Sequence, residues 1–194
     1  MFDRVTVTAS DLVASRRFYE AVLEGVPDGL SLAAADADSP PTRHLHLAFA
    51  AFSRDEVEAF WRRGVDAGYP SDGDPGLRPQ YDPNYYGAFL LDPDGNSVEA
   101  CCGFRDEAGP PIDHLWIGVR DLEASRRFWE GLAPRLDLRV VDRERSRVQV
   151  VGRNRSFALV HDGRPPTEHL HLAFPATTAF RLSDPDGTVV EGVP

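Results

Sequence analysis

The chain has 194 residues, 31 acidic against 21 basic, and a formal net charge of −10 with histidines neutral. It contains no lysine, so its basic residues are all arginines scattered among more numerous carboxylates, which excludes the concentrated positive field that a nucleic-acid partner requires. None of its apolar runs approaches the roughly 18 residues of a membrane span, and the N-terminus reads as a strand and not as a leader, so cytoplasmic residence is expected.

Residues 2–9 alternate, with Val5, Val7 and Ala9 on one face and Arg4, Thr6 and Thr8 on the other, which predicts a half-buried strand. Ser10 and Asp11 supply N-cap candidates for a helix whose Leu12, Phe18, Tyr19, Val22 and Leu23 fall at three- and four-residue spacings. Residues 30–34 leave room for one further strand, and residues 44–49 alternate again. Ser53-Arg54-Asp55-Glu56 is a capping box that opens a helix with Val57, Phe60, Trp61 and Val65 inward, ending near Gly68. Residues 87–91, the turn Asp92-Pro93-Asp94-Gly95 and residues 97–101 predict a hairpin. The cysteines, Cys101 and Cys102, are adjacent; vicinal pairs rarely bridge, which fits a reducing compartment.

The chain then repeats itself. The segment from Phe2 to Glu20 returns from Ile112 to Glu130 at an offset of 110 residues. His44-Leu45-His46-Leu47-Ala48-Phe49 returns unchanged as His169-Leu170-His171-Leu172-Ala173-Phe174, at an offset of 125. Asp92-Pro93-Asp94-Gly95 with Glu99 returns as Asp184-Pro185-Asp186-Gly187 with Glu191, at an offset of 92, so each half has lost material that the other keeps. The unit is strand, helix, then strands, and it occurs four times, at about 2–35, 44–101, 112–161 and 168–193. The fourth copy passes from Phe174 to Phe180 without a helix. The expected domains are 1–102 and 112–194, joined by a Gly- and Pro-rich linker at 103–111. Strands missing from the short copies leave unpaired edges, which predicts a homodimer.

Alternation assigns the chemistry to one face. Leu45, Leu47 and Phe49 pack against the helix, so His46 faces the other side, as do His171, His114 with Trp116, and the carboxylates Glu99 and Glu191, the candidate catalytic groups. If the sheets curl, these side chains converge inside a cup. Two histidines and one carboxylate with positions left open form a ligand set for a divalent catalytic metal, and suit Fe(II), Mn(II), Ni(II) or Zn(II). Residues 76–86 form a loop from which Arg78, Tyr81 or Tyr86 could contact a substrate.

The strand before Ser10-Asp11-Leu12, the His-Leu-Ala-Phe strands, Tyr85-Tyr86-Gly87-Ala88-Phe89 and the Asp-Pro-Asp-Gly hairpins resemble the vicinal oxygen chelate superfamily, which includes glyoxalase I, bleomycin-resistance proteins and extradiol dioxygenases. The resemblance implies an α+β fold of tandem βαβββ modules, with incurved mixed sheets and helices outside. It also implies metal ligands on the first and last strands of each module. Mapped half by half, it assigns His114, His171 and Glu191 as ligands. In the N-terminal half His46 and Glu99 match, but Arg4 stands where a histidine is expected, and a guanidinium is no ligand. That implies an anion-binding or metal-free N-terminal pocket; Arg4, His46 and Trp116 are among the candidate substrate contacts. Pairing the two complete central modules would instead assemble His46, Glu99, His114 and His161. The function implied is a metal-dependent lyase, isomerase or dioxygenase acting on a small molecule with adjacent oxygens; the alternative is a metal-free, drug-sequestering protein of the bleomycin-resistance type.

Overall fold

The computed structural model describes residues 1–103, 111–153 and 155–194; most of the expected linker, 104–110, lies outside the described residues. The first module is β1 (Arg4–Ala9), α1 (Leu12–Leu23) and β2 (Leu30–Ala34). The second is β3 (Leu45–Ala50), α2 (Arg54–Asp66), β4 (Ser71–Leu77), β5 (Tyr86–Leu91) and β6 (Ser97–Cys102). The third is β7 (Ile112–Gly118), α3 (Leu122–Leu132), a 3₁₀ turn over Ala133–Leu136, β8 (Arg139–Glu144), β9 (Arg147–Val151) and β10 (Ser156–Val160). The fourth has strands alone: β11 (His171–Pro175), β12 (Phe180–Ser183) and β13 (Val189–Val193).

Local chemistry sets the helix ends as expected. The Asp11 and Asp121 carboxylates each accept two backbone N–H bonds in the first turns of α1 and α3. Ser53 caps α2, and Glu56 reaches back to the backbone N–H of Phe52. Val65, expected inward, is exposed; Gly64 takes the packed position beneath Leu90.

Two sheets result, and they do not follow the division into halves. The second and third modules form an eight-stranded sheet in the order β4-β5-β6-β3-β7-β10-β9-β8. The remnants of the first and fourth form a five-stranded sheet, β12-β13-β11-β1-β2. α2 packs on β5 and β6, α3 on β8 to β10, and α1 on β1, β2 and α2. Both sheets bury one face in a shared core. Trp129 of α3, fully buried, meets Phe157 of the large sheet at 4.7 Å and Phe174 of the small sheet at 5.9 Å. No described helix is long and apolar enough to cross a membrane.

The repeats also bind each other directly. Thr42 Oγ1 donates to the His169 carbonyl and Thr167 Oγ1 to the His44 carbonyl, each at 3.0 Å, while Arg43 and Glu168 form an antiparallel bridge. His44 and His169 both take left-handed backbone conformations, φ 58° and 55°, which turns the chain into each clasp. The Asp-Pro-Asp-Gly turns add a second tie between modules. Asp94 accepts from the Ser10 N–H at the start of α1, and Asp186 accepts from the Arg120 N–H before α3.

A Cβ on Gly64 would lie 2.3 Å from Leu90 Cδ1. The roughly 1 kcal/mol that alanine gains in a helix is outweighed by overpacking, typically 1–3 kcal/mol. Gly64→Ala is expected to lower the stability of the fold by about 1 kcal/mol in a urea titration, with an unchanged m value.

Candidate metal centre

Strand register assembles the site. β3 runs parallel to β6, setting Ala48 opposite Glu99 and His46 opposite Ser97. It runs antiparallel to β7, setting Ala48 opposite His114 and His46 opposite Trp116. Beyond β7, β10 sets Ser156 opposite His114 and Ala158 opposite Trp116. Two adjacent rows therefore cross the concave face: Glu99, Ala48, His114, Ser156, and Ser97, His46, Trp116, Ala158. Neighbouring strands lie about 4.8 Å apart, and Ala48 carries only a methyl group. The space above it is where His46, Glu99 and His114 meet, one ligand atom from each lying within 4.8 Å of the others.

A β-bulge completes the arrangement. Phe49 sits opposite Ile112, so Asp113 is an extra residue in β7, and its carboxylate turns to the cup beside His114. Its Oδ2 lies 2.9 Å from His114 Nδ1, and Arg155 Nη1 lies 3.9 Å from its Oδ1. Arg155 is held in turn by its Nε bond to the Ile112 carbonyl at 3.0 Å, and both charged groups are buried.

These partners fix which imidazole nitrogens are free. Ser97 Oγ donates to Asp72 at 2.7 Å, so it accepts from His46 Nδ1 at 3.2 Å. Asp113 takes the Nδ1 proton of His114. Both Nε2 atoms thus carry lone pairs toward Glu99 Oε2, at 3.0 and 3.6 Å. Lone pairs facing a carboxylate without a proton between them favour a cation. Metal–ligand bonds of about 2.1 Å place neighbouring ligand atoms roughly 3.0–3.4 Å apart, so the donor set fits a divalent ion. Burial pulls the His46 imidazole below its ordinary range against the opposing pull of Glu99, which keeps it a neutral donor.

Glu99 is itself held from behind. Its Oε1 accepts the Tyr85 hydroxyl at 2.8 Å, and burial pushes that phenol far above its usual range, so the proton stays on Tyr85. Gly87 leaves the carboxylate its room: a Cβ there would lie 2.5 Å from Glu99 Oε1. Cys101 packs with Ala48 and Tyr85, its thiol raised by burial.

The site opens into a cup of about 830 Å³. Trp116 lines it, edge-on to His46 at 6.0 Å, with the Arg147 and Arg164 guanidiniums 5.4 and 5.1 Å from its ring centre. Tyr81 stands half-exposed at the rim, 5.8 Å from Trp116, and Arg78 lies on the opposite wall. Tyr86 does not face the cup. It lies on the α2 side of β5, where its hydroxyl donates to Glu58 at 3.2 Å. Tyr85 and Asp113 are the residues that sequence reasoning missed. The parity of Phe89 and Gly87 could have found Tyr85, whereas the bulge behind Asp113 leaves no mark in the pattern.

His161 does not join the centre: its Nδ1 bonds the Val119 carbonyl at 3.0 Å past the end of β10. Register gives the position that mirrors Glu99 to Ala158, so the fourth ligand position holds a methyl group. Nor does the structure bring His114 together with His171 and Glu191. β1 pairs with β11 in the small sheet, setting Arg4 opposite Ala173 and Thr6 opposite His171, while β13 sets Glu191 opposite Ala173. This repeats the large-sheet lattice with Arg4 in the place of His114, so Arg4 shares a sheet with His171 and not with His46. His171 Nε2 lies 3.0 Å from Glu191, and Arg181, at the position of Phe89 in the large sheet, pairs with the same carboxylate. Two arginines, Arg4 and Arg181, thus hold the register positions at which the large sheet has an imidazole and a phenyl ring.

The structure thus pairs βαβββ modules around an inward cluster of two histidines and a glutamate. The Glyoxalase/Bleomycin resistance protein/Dioxygenase superfamily matches residues 1–100, and the chain belongs to it. Among solved structures, glyoxalase I from Zea mays is similar over 99% of this chain and 91% of its own, at 15% identity and a TM-score of 0.67. A candidate dioxygenase from Bacillus subtilis subsp. subtilis str. 168 is similar over 98% and 83%, at 11% identity and a TM-score of 0.62. At these identities the likeness shows the fold. No curated protein sequence matches the chain significantly.

Outer groups that orient metal-binding histidines are worth about 10–100-fold in affinity. Asp113→Ala is expected to weaken Zn²⁺ binding to the metal-free protein by that factor, measured by competition with a chromophoric chelator, with Asp113→Asn weakening it less.

Proposed function

We propose that the chain is a metal-dependent enzyme whose central cup holds a divalent ion through His46, Glu99 and His114 and receives a small molecule with two adjacent oxygens. The observation that carries this reading is the convergence of two imidazole lone pairs and a buried carboxylate beneath an open cup, with Ala158 at the fourth ligand position. Two imidazoles and one carboxylate with open positions suit Fe(II) oxygen chemistry best, so oxygen insertion is favoured over isomerase or lyase chemistry. When bound, the metal would act as a Lewis acid on both substrate oxygens.

The chain's own residues then divide the work. Tyr85 fixes the second oxygen of Glu99, leaving Oε2 to ligate. Ser97 and Asp113 hold the imidazole tautomers. Trp116 and Tyr81 wall the approach. Glu191 is not assigned a catalytic part, because Arg181 and His171 occupy it. The open β2 edge of the small sheet supports a homodimer, and the two free, buried thiols support cytoplasmic residence.

One observation favours a second reading, metal-free sequestration of a cationic ligand: among the described residues five carboxylates line the cup against three arginines. Metal analysis separates the two. Protein reconstituted with Fe(II) under anaerobic conditions is expected to retain close to one ion per chain after desalting. His46→Ala and His114→Ala should each lose it, by more than about 100-fold in affinity, whereas His171→Ala should retain it. Retention in the first two variants, or loss in the third, would place the metal elsewhere. Light scattering is expected to give twice the chain mass of 21.4 kDa.

A further inference from the structure

The cup contains a cation that its neighbours leave unneutralised. Of the three arginines that line it among the described residues, Arg147 meets Glu144 at 2.7 Å and Arg164 meets Asp162 at 2.8 Å. Arg78 has no carboxylate partner among the described residues. Its Nη1 and Nη2 donate to the Leu77 and Asp74 carbonyls at 3.2 and 2.7 Å, and its guanidinium lies 5.4 Å from the Phe89 ring centre. The nearby acids bond elsewhere: Asp72 accepts from Ser97 and Asp74 from Ser71.

The strand around Arg78 is shaped to seat it. β4 breaks register with β5 twice, between Ser71 and Gly73 and between Gly73 and Gly76. A Cβ on Gly76 would lie 2.8 Å from Arg78 Nη1, and one on Gly73 would lie 3.6 Å from Nη2. Two carbonyls and two glycines thus hold the fork in place while spending two of its five N–H donors. The seat is close to the metal centre. With 5.4 Å from Cζ to the Phe89 ring centre and 5.9 Å from there to the His46 ring centre, the guanidinium lies no more than about 11 Å from that imidazole.

We propose that Arg78 is an anion subsite, and that the substrate carries a carboxylate at the end remote from its vicinal oxygens. This rests on the reading of the central cup as the substrate site. A guanidinium with free donors binds a carboxylate in the bidentate manner that a carbonyl cannot match. In a chain of net charge −10 an unmatched arginine inside the cup also selects for anions locally where the surface as a whole repels them.

The test compares 3-(3,4-dihydroxyphenyl)propionate with its neutral analogue 4-ethylcatechol, binding to Zn²⁺-loaded and to metal-free protein by calorimetry. The carboxylate is expected to tighten binding about tenfold in the wild type, and Arg78→Gln should reduce that advantage to below twofold. Gly76→Ala keeps the charge but displaces the fork, and should reduce the advantage in a chain whose circular dichroism is unchanged. An advantage that survives in both variants, or no advantage in the wild type in either form, overturns the proposal. The metal reading fails separately: a carboxylate preference that depends on Arg78 but is identical with and without Zn²⁺, with 4-ethylcatechol gaining nothing from the ion, would leave the anion subsite standing and remove the chelate.

Discussion

The antiparallel register between β3 and β7 is the constraint on which the site depends. It places Ala48 between Glu99 and His114, and His46 one row away. A slip of one residue would send every one of these side chains to the helix face and bring the leucines of β3 into the cup. The register is held on the core side by Leu45, Leu47, Leu115 and Ile117, all fully or almost fully buried, so the apolar packing and the polar convergence are two faces of one pairing. The bulge at Asp113 is the single departure from it, and it supplies the group that orients His114.

Duplication explains why the lattice recurs and why its chemistry does not. The small sheet reproduces the register of the large one position for position, down to an alanine, Ala173, between its carboxylate and its neighbour. Arg181 and His171 both pair with the Glu191 carboxylate there, and Arg4 stands at the register position of His114. The small sheet also lacks the strands that wall the large cup, having five strands against eight. Its strands add Val5, Val7, Leu172, Phe174 and Val190 to the shared core.

The electrostatics of the large cup follow from local pairing more than from composition. Most of its carboxylates are spoken for by Ser97, Tyr85, Arg147, Arg164 or Arg155. Such pairs in partly exposed settings contribute little to stability, of order 0–1 kcal/mol each, but they leave Arg78 as the cation without a carboxylate partner among the described residues. An acidic chain can therefore offer an anion a specific seat.

The sequence by itself determined the four modules, the helix caps, the hairpins and the face on which His46, His114, His171, Glu99 and Glu191 lie, because caps, turns and periods of two and 3.6 are local properties. It also supported the family resemblance through motifs that repeat. Tertiary structure decided which modules pair, since nothing local distinguishes β1 joining β11 from β7 joining β11; that choice is made by shared burial around Trp129, Phe157 and Phe174. From it follow the separation of His114 from His171, the exclusion of His161 and the fourth position falling to Ala158. Asp113 shows the limit most clearly. Alternation puts it on the helix face, and only an irregularity in a pairing with a strand some 65 residues away turns its carboxylate toward the cluster of His46, Glu99 and His114.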